Sequence, residues 1–472
     1  MAPDLSLAGQ EQMEELSYSR NRRHSPIYIL PPEILSQTFR EACPPEFENT
    51  DLIMPRWNYR IWRPSVVLSL VSSHWREVAL NTPELWTYAI MRQNEDLAKA
   101  QSNADLLRCQ ILRATSHPLS LIIMFQGEMS HPEPHGEMAN AIFGHENAHR
   151  IESLRLLQPP GNWIDLLRTL PRIHTLSIHH PIPEAQEASL HLAAQTLCRL
   201  SLKGGNWRLF SVPPTLQALW LDGTPGGFNV QLLQQSPSLS KCYSNHSHPI
   251  EEFLTASFVS LCVCQNLVDL TWSVHDGVTD NSAFLHLSLP SLQTLHLISI
   301  NPVSDAVPIA NFVRKFSPTL LTLKLENFIE WVRSDYQIVF QHQMPRLATL
   351  EIFGPSFTSL YPPIQALIPA ETELGLGIIP LSSLRFLDLQ LDGAADSTVE
   401  EDMGALLWKM LHMRRTGSGS TPAERMIFRL KLPYDGSNRR WIHERLAEFK
   451  QYFADHELIM IKSSNFLGWL SN

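Results

Sequence analysis

The stretch Leu292-Gln293-Thr294-Leu295-His296-Leu297 contains the pattern that recurs along this chain and decides its fold class. An apolar anchor is followed, three and five residues later, by two leucines that flank one other residue. Because side chains alternate across a strand, the two leucines face the same side of it. The anchor packs behind them as the chain enters the strand. One copy cannot bury this face alone, so the pattern predicts stacked copies.

Successive anchors are 22, 24, 19, 23, 28, 25, 28, 27 and 37 residues apart. Each interval leaves room for a helical or irregular return segment between strands. The copies are Ile151/Leu154/Leu156, Ile173/Leu176/Ile178, Leu197/Leu200/Leu202, Leu216/Leu219/Leu221, the degenerate Leu239/Cys242/Ser244, Leu267/Leu270/Trp272, Leu292/Leu295/Leu297, Leu320/Leu323/Leu325, Leu347/Leu350/Ile352 and Leu384/Leu387/Leu389.

This arrangement resembles an irregular leucine-rich repeat array, which implies an α/β solenoid with a curved parallel sheet. The sequence departs from the family pattern because the asparagine that usually follows the Leu-x-Leu strand is missing. Gln158-Pro159 follows Leu156, and Gly204-Gly205 follows Leu202. The backbone hydrogen bonds that such an asparagine makes are therefore not assured by sequence. The alternative is a leucine-rich α/β domain without true repeats.

A second informative stretch, Ile29-Leu30-Pro31-Pro32-Glu33-Ile34-Leu35, lies near the N-terminus. Two prolines preset the helical φ angle and lack N–H groups that a first turn leaves unpaired. Glu33 then lies where the helix dipole favours a negative charge. A following segment carries apolar residues at helical spacing: Leu68, Val71, Trp75 and Ala79. Two short amphipathic helices of this kind need partners for their apolar faces.

These helices, with Thr82-Pro83-Glu84-Leu85-Trp86 after them, resemble the F-box of fungal F-box proteins over residues 29 to 90. The resemblance implies docking onto a Skp-type adaptor, and through it a cullin, in an SCF ubiquitin ligase. An insert between 43 and 64 lengthens the loop after the first helix, at low cost in closure entropy. The residues expected to face the adaptor are Leu30, Pro31, Ile34, Leu35, Phe39, Leu68, Val71, Trp75 and Arg76.

The expected architecture is therefore α/β, with an N-terminal helical F-box followed by an irregular leucine-rich repeat solenoid. We expect a disordered tail at 1–25, an F-box-like helical module at 26–90 and a linker helix at 91–116. The repeat array would span 117–412 and a flexible loop 413–424. Residues 425–472 would form a C-terminal cap, with two strands around a helix at 440–454.

Composition narrows the function class. The 472 residues carry a formal net charge of −10 without an obvious basic stripe, which argues against nucleic acid as a partner. The six scattered cysteines lack a C-x-x-C pair and are expected to be reduced thiols. No secretory signal or long apolar run is recognised, so we expect a cytoplasmic or nuclear protein that is not secreted and has no membrane partner.

Catalytic motifs are scarce. His145-Glu146-Asn147-Ala148-His149 matches the zinc-protease pattern H-E-x-x-H, but it leads directly into the repeat strand that begins at Ile151. A third ligand at the family spacing is absent, so a zinc hydrolase is the weakest alternative. Cys262-Val263-Cys264 lacks a second pair of ligands and is expected to be two buried thiols. We expect no enzyme activity, no metal and no cofactor.

The target of the array is expected on its concave face, because the residue between the two leucines points away from the core. The residues selected by this rule are Arg155, Ser177, Ser201, Trp220, Thr271, His296, Lys324, Glu351 and Asp388. Trp220 is the strongest candidate, since aromatic residues dominate interface hot spots. The sequence thus predicts a substrate receptor of a ubiquitin ligase for an unknown protein target. The alternative from another class is a non-catalytic repeat scaffold acting outside the ligase.

Overall fold

The computed structural model divides the chain into two compact units, Met1–Leu157 and Gln158–Asn472. The structure describes residues 30–43, 64–93, 97–125, 133–179, 187–190, 192, 195–204, 206–209, 212–224, 226–246, 262–274, 287–299, 306–340, 344–355, 357–368, 381–391, 406–407, 409–410, 427–433 and 457–463. The predicted tail at 1–25, most of the 43–64 insert, the loop at 413–424 and the helix at 440–454 lie outside these residues. No helix in the described ranges is long and apolar enough to cross a membrane.

The described residues of the first unit form helices and three strands. The helices are α1 (Pro32–Ala42), α2 (Pro64–Val71), α3 (Ser73–Leu80), α4 (Leu97–Arg113), α5 (Glu133–Phe143) and α6 (His145–Ala148). The strands are β1 (Tyr88–Gln93), β2 (Leu119–Phe125) and β3 (Ile151–Leu157), and they pair in parallel in the order β1-β2-β3.

Local sequence accounts for the helix starts. α1 begins with Pro32 after Pro31, and Glu33 lies in its first turn. Ser72 caps α3, because its hydroxyl accepts a 3.1 Å hydrogen bond from the Trp75 N–H. Pro83–Trp86 then forms a short 3₁₀ helix. The Thr-Pro-x-Leu-Trp ending is therefore an ordered element of this unit.

The helical module is shorter than predicted. Residues 88–93, at the end of the predicted helical module and the start of the predicted linker, form strand β1 instead, because Ala89 and Met91 alternate with Tyr88 and Ile90 on two buried faces. The predicted linker helix is present as α4. Arg150 closes the C-terminal end of α4, since its guanidinium donates to the Ile111 carbonyl. Burial lowers the pKa of Arg150.

The second unit is built on one long parallel sheet, with strands β4 (Thr175–His179), β6 (Arg199–Lys203), β8 (Ala218–Thr224), β9 (Lys241–His246), β11 (Asp269–Val274), β13 (Thr294–Ser299), β14 (Thr322–Glu326), β15 (Thr349–Gly354), β16 (Phe386–Leu391), β17 (Ile427–Pro433) and β18 (Glu457–Ser463), in that order. Two short parallel pairs lie beside it, β5 (Glu187–Leu190) with β7 (Asn206–Leu209) and β10 (Cys262–Val263) with β12 (Leu287–Ser288). The return segments include α7 (Gly161–Leu166), α8 (Gly226–Gln235), α9 (Val307–Phe316), α10 (Arg333–Phe340) and α11 (Phe357–Leu367).

The anchors and strand leucines occupy equivalent positions from repeat to repeat. Leu292, Leu295 and Leu297 are all fully buried, and the corresponding residues of neighbouring copies are buried as well. Leu295 lies in register with Leu270 on β11 and with Leu323 on β14. The predicted strand positions of the Leu-x-Leu copies are therefore correct.

One backbone hydrogen-bond arrangement recurs at the strand entrances from β6 to β16. The carbonyl of the residue after the anchor accepts hydrogen bonds from two consecutive N–H groups of the next copy. For example, Gln293 O accepts from Leu321 N at 2.8 Å and from Thr322 N at 2.9 Å. The residues whose carbonyls do this are His174, Cys198, Gln217, Ser240, Val268, Gln293, Leu321 and Ala348. Backbone groups thus link neighbouring copies without the asparagine that the sequence lacks.

At the ends of two strands, a residue adopts the left-handed backbone conformation with positive φ. Gly204 and Asn327 have φ of 68° and 62°. Their N–H groups donate to Asp222 O and Phe353 O on the next strand. A buried asparagine of a helix, Asn229 of α8, also links two strands. Its side chain accepts a 2.8 Å hydrogen bond from the Thr224 hydroxyl and donates a 2.7 Å hydrogen bond to the Ser244 hydroxyl.

The unit boundary falls after Leu157 and not at 117, where the predicted array begins. Strands β2 and β3, which the array was expected to include, therefore cluster with the N-terminal helices. In the predicted cap, both described strands are present as β17 and β18.

Candidate functional site

An exposed apolar patch lies on α2 in the first unit. Val67, Leu70 and Val71 are 50%, 69% and 56% exposed. Their spacing of three and four residues places them on one face of the helix. We call these three residues the α2 patch. Single exposed apolar residues are common, but three on one helical face are typical of a surface that binds a partner.

Other predicted adaptor-facing residues are also accessible. Pro31 and Ile34 of the α1 start are exposed, Leu30 and Leu68 are half-buried, and Arg76 is exposed. The Arg76 side chain is held in place because its Nε donates a 3.0 Å hydrogen bond to the Ser69 carbonyl.

Two predicted adaptor contacts are wrong. Leu35 and Phe39 are buried within the unit, where Phe39 packs on Trp75 with ring centroids 4.8 Å apart. Their side of α1 faces α3, so they hold the helices together and are not available to a partner. Trp75 is half-buried in the same contact, and its indole nitrogen has no hydrogen-bond partner within the described residues.

In the second unit, the predicted target-binding residues form one continuous row across the sheet. The row consists of the residues between the two strand leucines, and adjacent members pair in register. From β4 to β17 it runs Ser177, Ser201, Trp220, Tyr243, Thr271, His296, Lys324, Glu351, Asp388 and Arg429. We call it the middle row.

Only part of this row reaches solvent. Trp220, Thr271, His296, Lys324 and Glu351 are half-buried. Ser177, Ser201 and Asp388 are buried, so the prediction that they face solvent is wrong. The serines are too short to rise above their neighbours, and Asp388 is covered by Arg429 and Gln390, which bond to its Oδ2 at 3.3 and 3.1 Å.

Arg155 lies in the first unit and is also buried, contrary to the prediction. Its row on that sheet contains Ile90 and Ile122, which are buried as well. These residues belong to or adjoin an apolar cluster that includes Met124 and Leu157. Both faces of this three-stranded sheet are therefore covered, as is usual for parallel sheets.

Trp220 stacks on Tyr243 of the next strand. Their ring centroids are 3.4 Å apart and the planes differ by 5°. Burial raises the pKa of Tyr243, and the carboxylates of Asp222 and then Glu326 raise it further.

The charged residues of this face are mostly paired. Lys203 contacts Asp222 at 2.7 Å, Lys324 contacts Glu351 at 3.0 Å, and Arg429 contacts Asp388. Glu326 differs, because its partner is the His296 imidazole at 2.9 Å, which is charged only when protonated. Apart from Glu326, the carboxylates named here are thus neutralised by lysine or arginine neighbours.

The sequence missed two parts of these surfaces. Tyr243 was omitted because its copy, Leu239/Cys242/Ser244, is degenerate, although its place in the repeat gives the same middle position. Val67 and Leu70 are not among the predicted residues because the predicted apolar stripe runs through Leu68 and Val71. Leu70 is the most exposed residue of the α2 patch.

The H-E-x-x-H sequence lies on and just after α6, a helix of four residues. His145 and His149 are both exposed, and His149 Nδ1 is 3.4 Å from the His145 carbonyl oxygen. Cys262 and Cys264 are buried with their sulfurs 3.7 Å apart, and Cys264 also contacts the Leu233 carbonyl. No cluster of three or more potential metal ligands occurs within the described ranges.

The sequence matches no known family model and no curated protein. Among solved structures, the chain is similar to a protein from Bacteroides fragilis determined by the Northeast Structural Genomics Consortium. The two share 14% sequence identity with a TM-score of 0.26, over 65% of this chain and 70% of that chain.

Proposed function

We propose that this chain is the substrate-receptor subunit of an SCF-type ubiquitin ligase. An F-box formed by α1 to α3 binds a Skp-type adaptor, and a leucine-rich repeat array in the second unit binds a protein target. The chain contributes no catalytic group. It raises the effective concentration of the target near the ubiquitin-conjugating enzyme.

The observation that carries this proposal is the α2 patch, next to a helix pair whose interior is already filled. Leu35, Phe39 and Trp86 occupy the space between the helices. Val67, Leu70 and Val71 keep half or more of their surface in solvent, where a group of apolar side chains favours association with a partner. A partner that covers them, together with Pro31 and Ile34, explains why they are apolar.

The middle row supports the second half of the proposal. It combines a stacked Trp220–Tyr243 pair with the half-buried Thr271 and the Lys324–Glu351 ion pair on one parallel sheet. Aromatic anchors within a polar surround are typical of protein-binding surfaces. As a receptor subunit of a ubiquitin ligase, the protein would act in the cytoplasm or the nucleus, together with its adaptor.

The test is a binding assay between the purified full-length chain and a purified Skp-type adaptor. Leu70→Asp should reduce the affinity at least about tenfold, because a charge cannot be desolvated in an apolar interface. The matched control is Leu112→Asp on α4, since Leu112 is 74% exposed and lies outside α1–α3. Circular dichroism must show that both variants are folded.

Undiminished adaptor binding by Leu70→Asp, or equal losses in both variants, would contradict the proposal. Failure of the unmodified chain to bind the adaptor at all would favour a repeat scaffold that acts outside the ligase.

A further inference from the structure

The repeat strands begin along one edge of the long sheet, because its nine strands from β4 to β16 all pair in parallel. The chain enters each of these strands through five residues, from two before the anchor to two after it. We call these nine segments the entrance rim, and the structure describes all of them. They are 171–175, 195–199, 214–218, 237–241, 265–269, 290–294, 318–322, 345–349 and 382–386.

The entrance rim is basic although the chain is acidic. The whole chain has 47 aspartates and glutamates against 37 lysines and arginines. The rim reverses this balance, because Asp269 is its one carboxylate and it carries five lysines and arginines. All five cations are exposed, and they are Arg172, Arg199, Lys241, Arg346 and Arg385. The sequence hides this band of charge, since its members are far apart along the chain.

The backbone fixes the positions of these cations, and most of their side chains are available. The N–H groups of Arg199, Lys241 and Arg385 donate to the shared carbonyls at 2.9, 3.0 and 2.9 Å. Arg172, Arg199, Lys241 and Arg346 make no ion pair with any residue that the structure describes. Asp269 lies in register with Lys241 and offsets part of its charge. The rim therefore keeps a surplus of positive charge.

The rim adjoins the surface proposed to bind the target. Arg199 and Lys241 are the first residues of β6 and β9, two positions before Ser201 and Tyr243. Because side chains alternate along a strand, both cations are on the same face of the sheet as the middle row. They therefore lie next to the row that contains the stacked Trp220–Tyr243 pair.

We propose that the entrance rim binds an extended acidic segment of the protein target, rich in aspartate or glutamate. This inference rests on the proposed function and specifies the kind of target that the array selects. Neighbouring strands are about 4.8 Å apart, so Arg199 and Lys241, with β8 between them, are separated by about 10 Å. An extended chain presents a side chain on one face about every 7 Å, which brings alternate carboxylates within reach of these long basic side chains. Exposed ion pairs contribute little individually, so several must act together.

Nucleic acids are also polyanions, but they fit the rim less well. Proteins that bind single strands combine cations with aromatic side chains on which the bases stack. The rim has no tyrosine or tryptophan, and the guanidinium of Arg429 lies 4.7 Å from the ring centroid of its phenylalanine, Phe386. The net charge of −10 also opposes a long polyanion more than a short acidic segment.

The experiment measures peptide binding to the full-length chain by fluorescence anisotropy. The probes are two fluorescein-labelled peptides, six repeats of Glu-Ser and six repeats of Gln-Ser. Each is about 40 Å long when extended, close to the eight strand spacings of the rim. The glutamate peptide should bind and the glutamine peptide should not. Binding should weaken between about 50 mM and about 200 mM salt, because salt screens exposed charges.

The decisive variant combines Arg199→Gln with Lys241→Gln, and it should weaken binding of the glutamate peptide about tenfold, the effect of two exposed charge contacts. Arg199→Gln alone should weaken it about threefold. The matched control is Arg333→Gln, which changes an exposed arginine at the start of α10, outside the rim, and should leave binding unchanged. Urea denaturation must show that all variants are folded.

Equal binding of the two peptides, no binding of the glutamate peptide, or unchanged binding by the double variant would each overturn the inference. Tighter binding of single-stranded DNA, lost in the same double variant, would also overturn it, in favour of a nucleic-acid partner.

Adaptor binding is measured on the same samples. If the glutamate peptide fails to bind while the adaptor binds, only this inference is lost. If the adaptor does not bind while the glutamate peptide does, the proposed function is wrong and the acidic-peptide site stands.

Discussion

The indole nitrogen of Trp86 donates a hydrogen bond of 2.8 Å to the backbone carbonyl of Ala79. That carbonyl lies in the last turn of α3, where helices leave acceptors unpaired. The Trp86 ring is fully buried, and the Arg113 guanidinium lies 4.6 Å above its centroid. One side chain thus closes α3 and fills the interior of the helical module.

Trp86→Phe should therefore destabilise the first unit by about 1 kcal/mol, because it keeps most of the ring but leaves the Ala79 carbonyl with only the longer hydrogen bond from the Thr82 N–H, at 3.3 Å. Trp86→Ala should cost about 3–5 kcal/mol. Urea denaturation followed by circular dichroism measures both. Equal costs for the two variants would show that the hydrogen bond contributes nothing.

Phe39 and Ile34 lie on the same helix and should respond differently. Phe39→Ala should cost about 3–5 kcal/mol, since the side chain is buried against Trp75. Ile34→Ala should change stability by no more than about 0.5 kcal/mol but weaken adaptor binding, because Ile34 is 47% exposed. Parallel measurements of stability and adaptor affinity separate the two roles. A large loss of stability in Ile34→Ala would assign it to the interior.

Asn229 should be essential to its repeat. Asn229→Leu leaves the buried hydroxyls of Thr224 and Ser244 without their shared partner, which should cost about 3 kcal/mol. The control is Asn266→Leu, where an exposed asparagine loses one hydrogen bond to the Pro237 carbonyl. Its cost should stay near 1 kcal/mol. Similar midpoints of urea denaturation for both variants would contradict this.

Tyr336 should make stability fall at alkaline pH. Burial, and then Asp335, raise the pKa of Tyr336 in the folded protein. A raised pKa favours the neutral phenol in the folded state, so its contribution is complete below the unfolded pKa of about 10 and is lost as pH rises further. Tyr336→Phe removes this titration at the cost of a 3.1 Å hydrogen bond to the Phe328 carbonyl.

The comparison is the unfolding free energy of both proteins between about pH 8 and about pH 11. Tyr336→Phe should be less stable by about 1 kcal/mol at the lower pH, and the gap should narrow above about pH 10. A gap that is constant with pH would mean that Tyr336 does not ionise on unfolding.

The His145 and His149 pair should bind no metal with useful affinity. Both side chains are exposed, and the four-residue helix that His145 begins and His149 follows leads into β3, so it is too short for the helix that a zinc protease requires. Elemental analysis of protein purified without chelator should find zinc well below one ion per chain. One zinc per chain, lost in His149→Ala, would contradict this expectation.

Much of the array could be predicted from sequence because its signal is repeated. Leu295 and its equivalents define the strand, the buried face and the register together, since one pattern serves three purposes. Strand β1 could not be predicted in the same way. Its buried residues occupy both faces, so Tyr88-Ala89-Ile90-Met91 lacks the alternation that marks a half-exposed strand.

The site was less predictable from sequence. The alternation of side chains along a strand shows which face of the sheet a residue is on, but not how much of it reaches solvent. Ser201 and Asp388 point away from the core, as the rule requires, yet Ser201 is small and Asp388 is covered by Arg429. In the helices, the same periodicity fits Phe39, which is buried, and Ile34, which is exposed. Which of the two is buried depends on how the neighbouring helices of the same chain pack against α1.

The shared carbonyls at the strand entrances have a consequence for how this protein can be changed. The interval from anchor to strand is constant, because Gln293 O must meet Leu321 N and Thr322 N together. The intervals between anchors range from 19 to 37 residues. Insertions in the return segments should therefore be tolerated. One residue added between Leu292 and Leu295 would instead turn the later side chains of that strand to the opposite face of the sheet. Whole strand-and-return segments could therefore be duplicated, deleted or exchanged while these backbone contacts are kept.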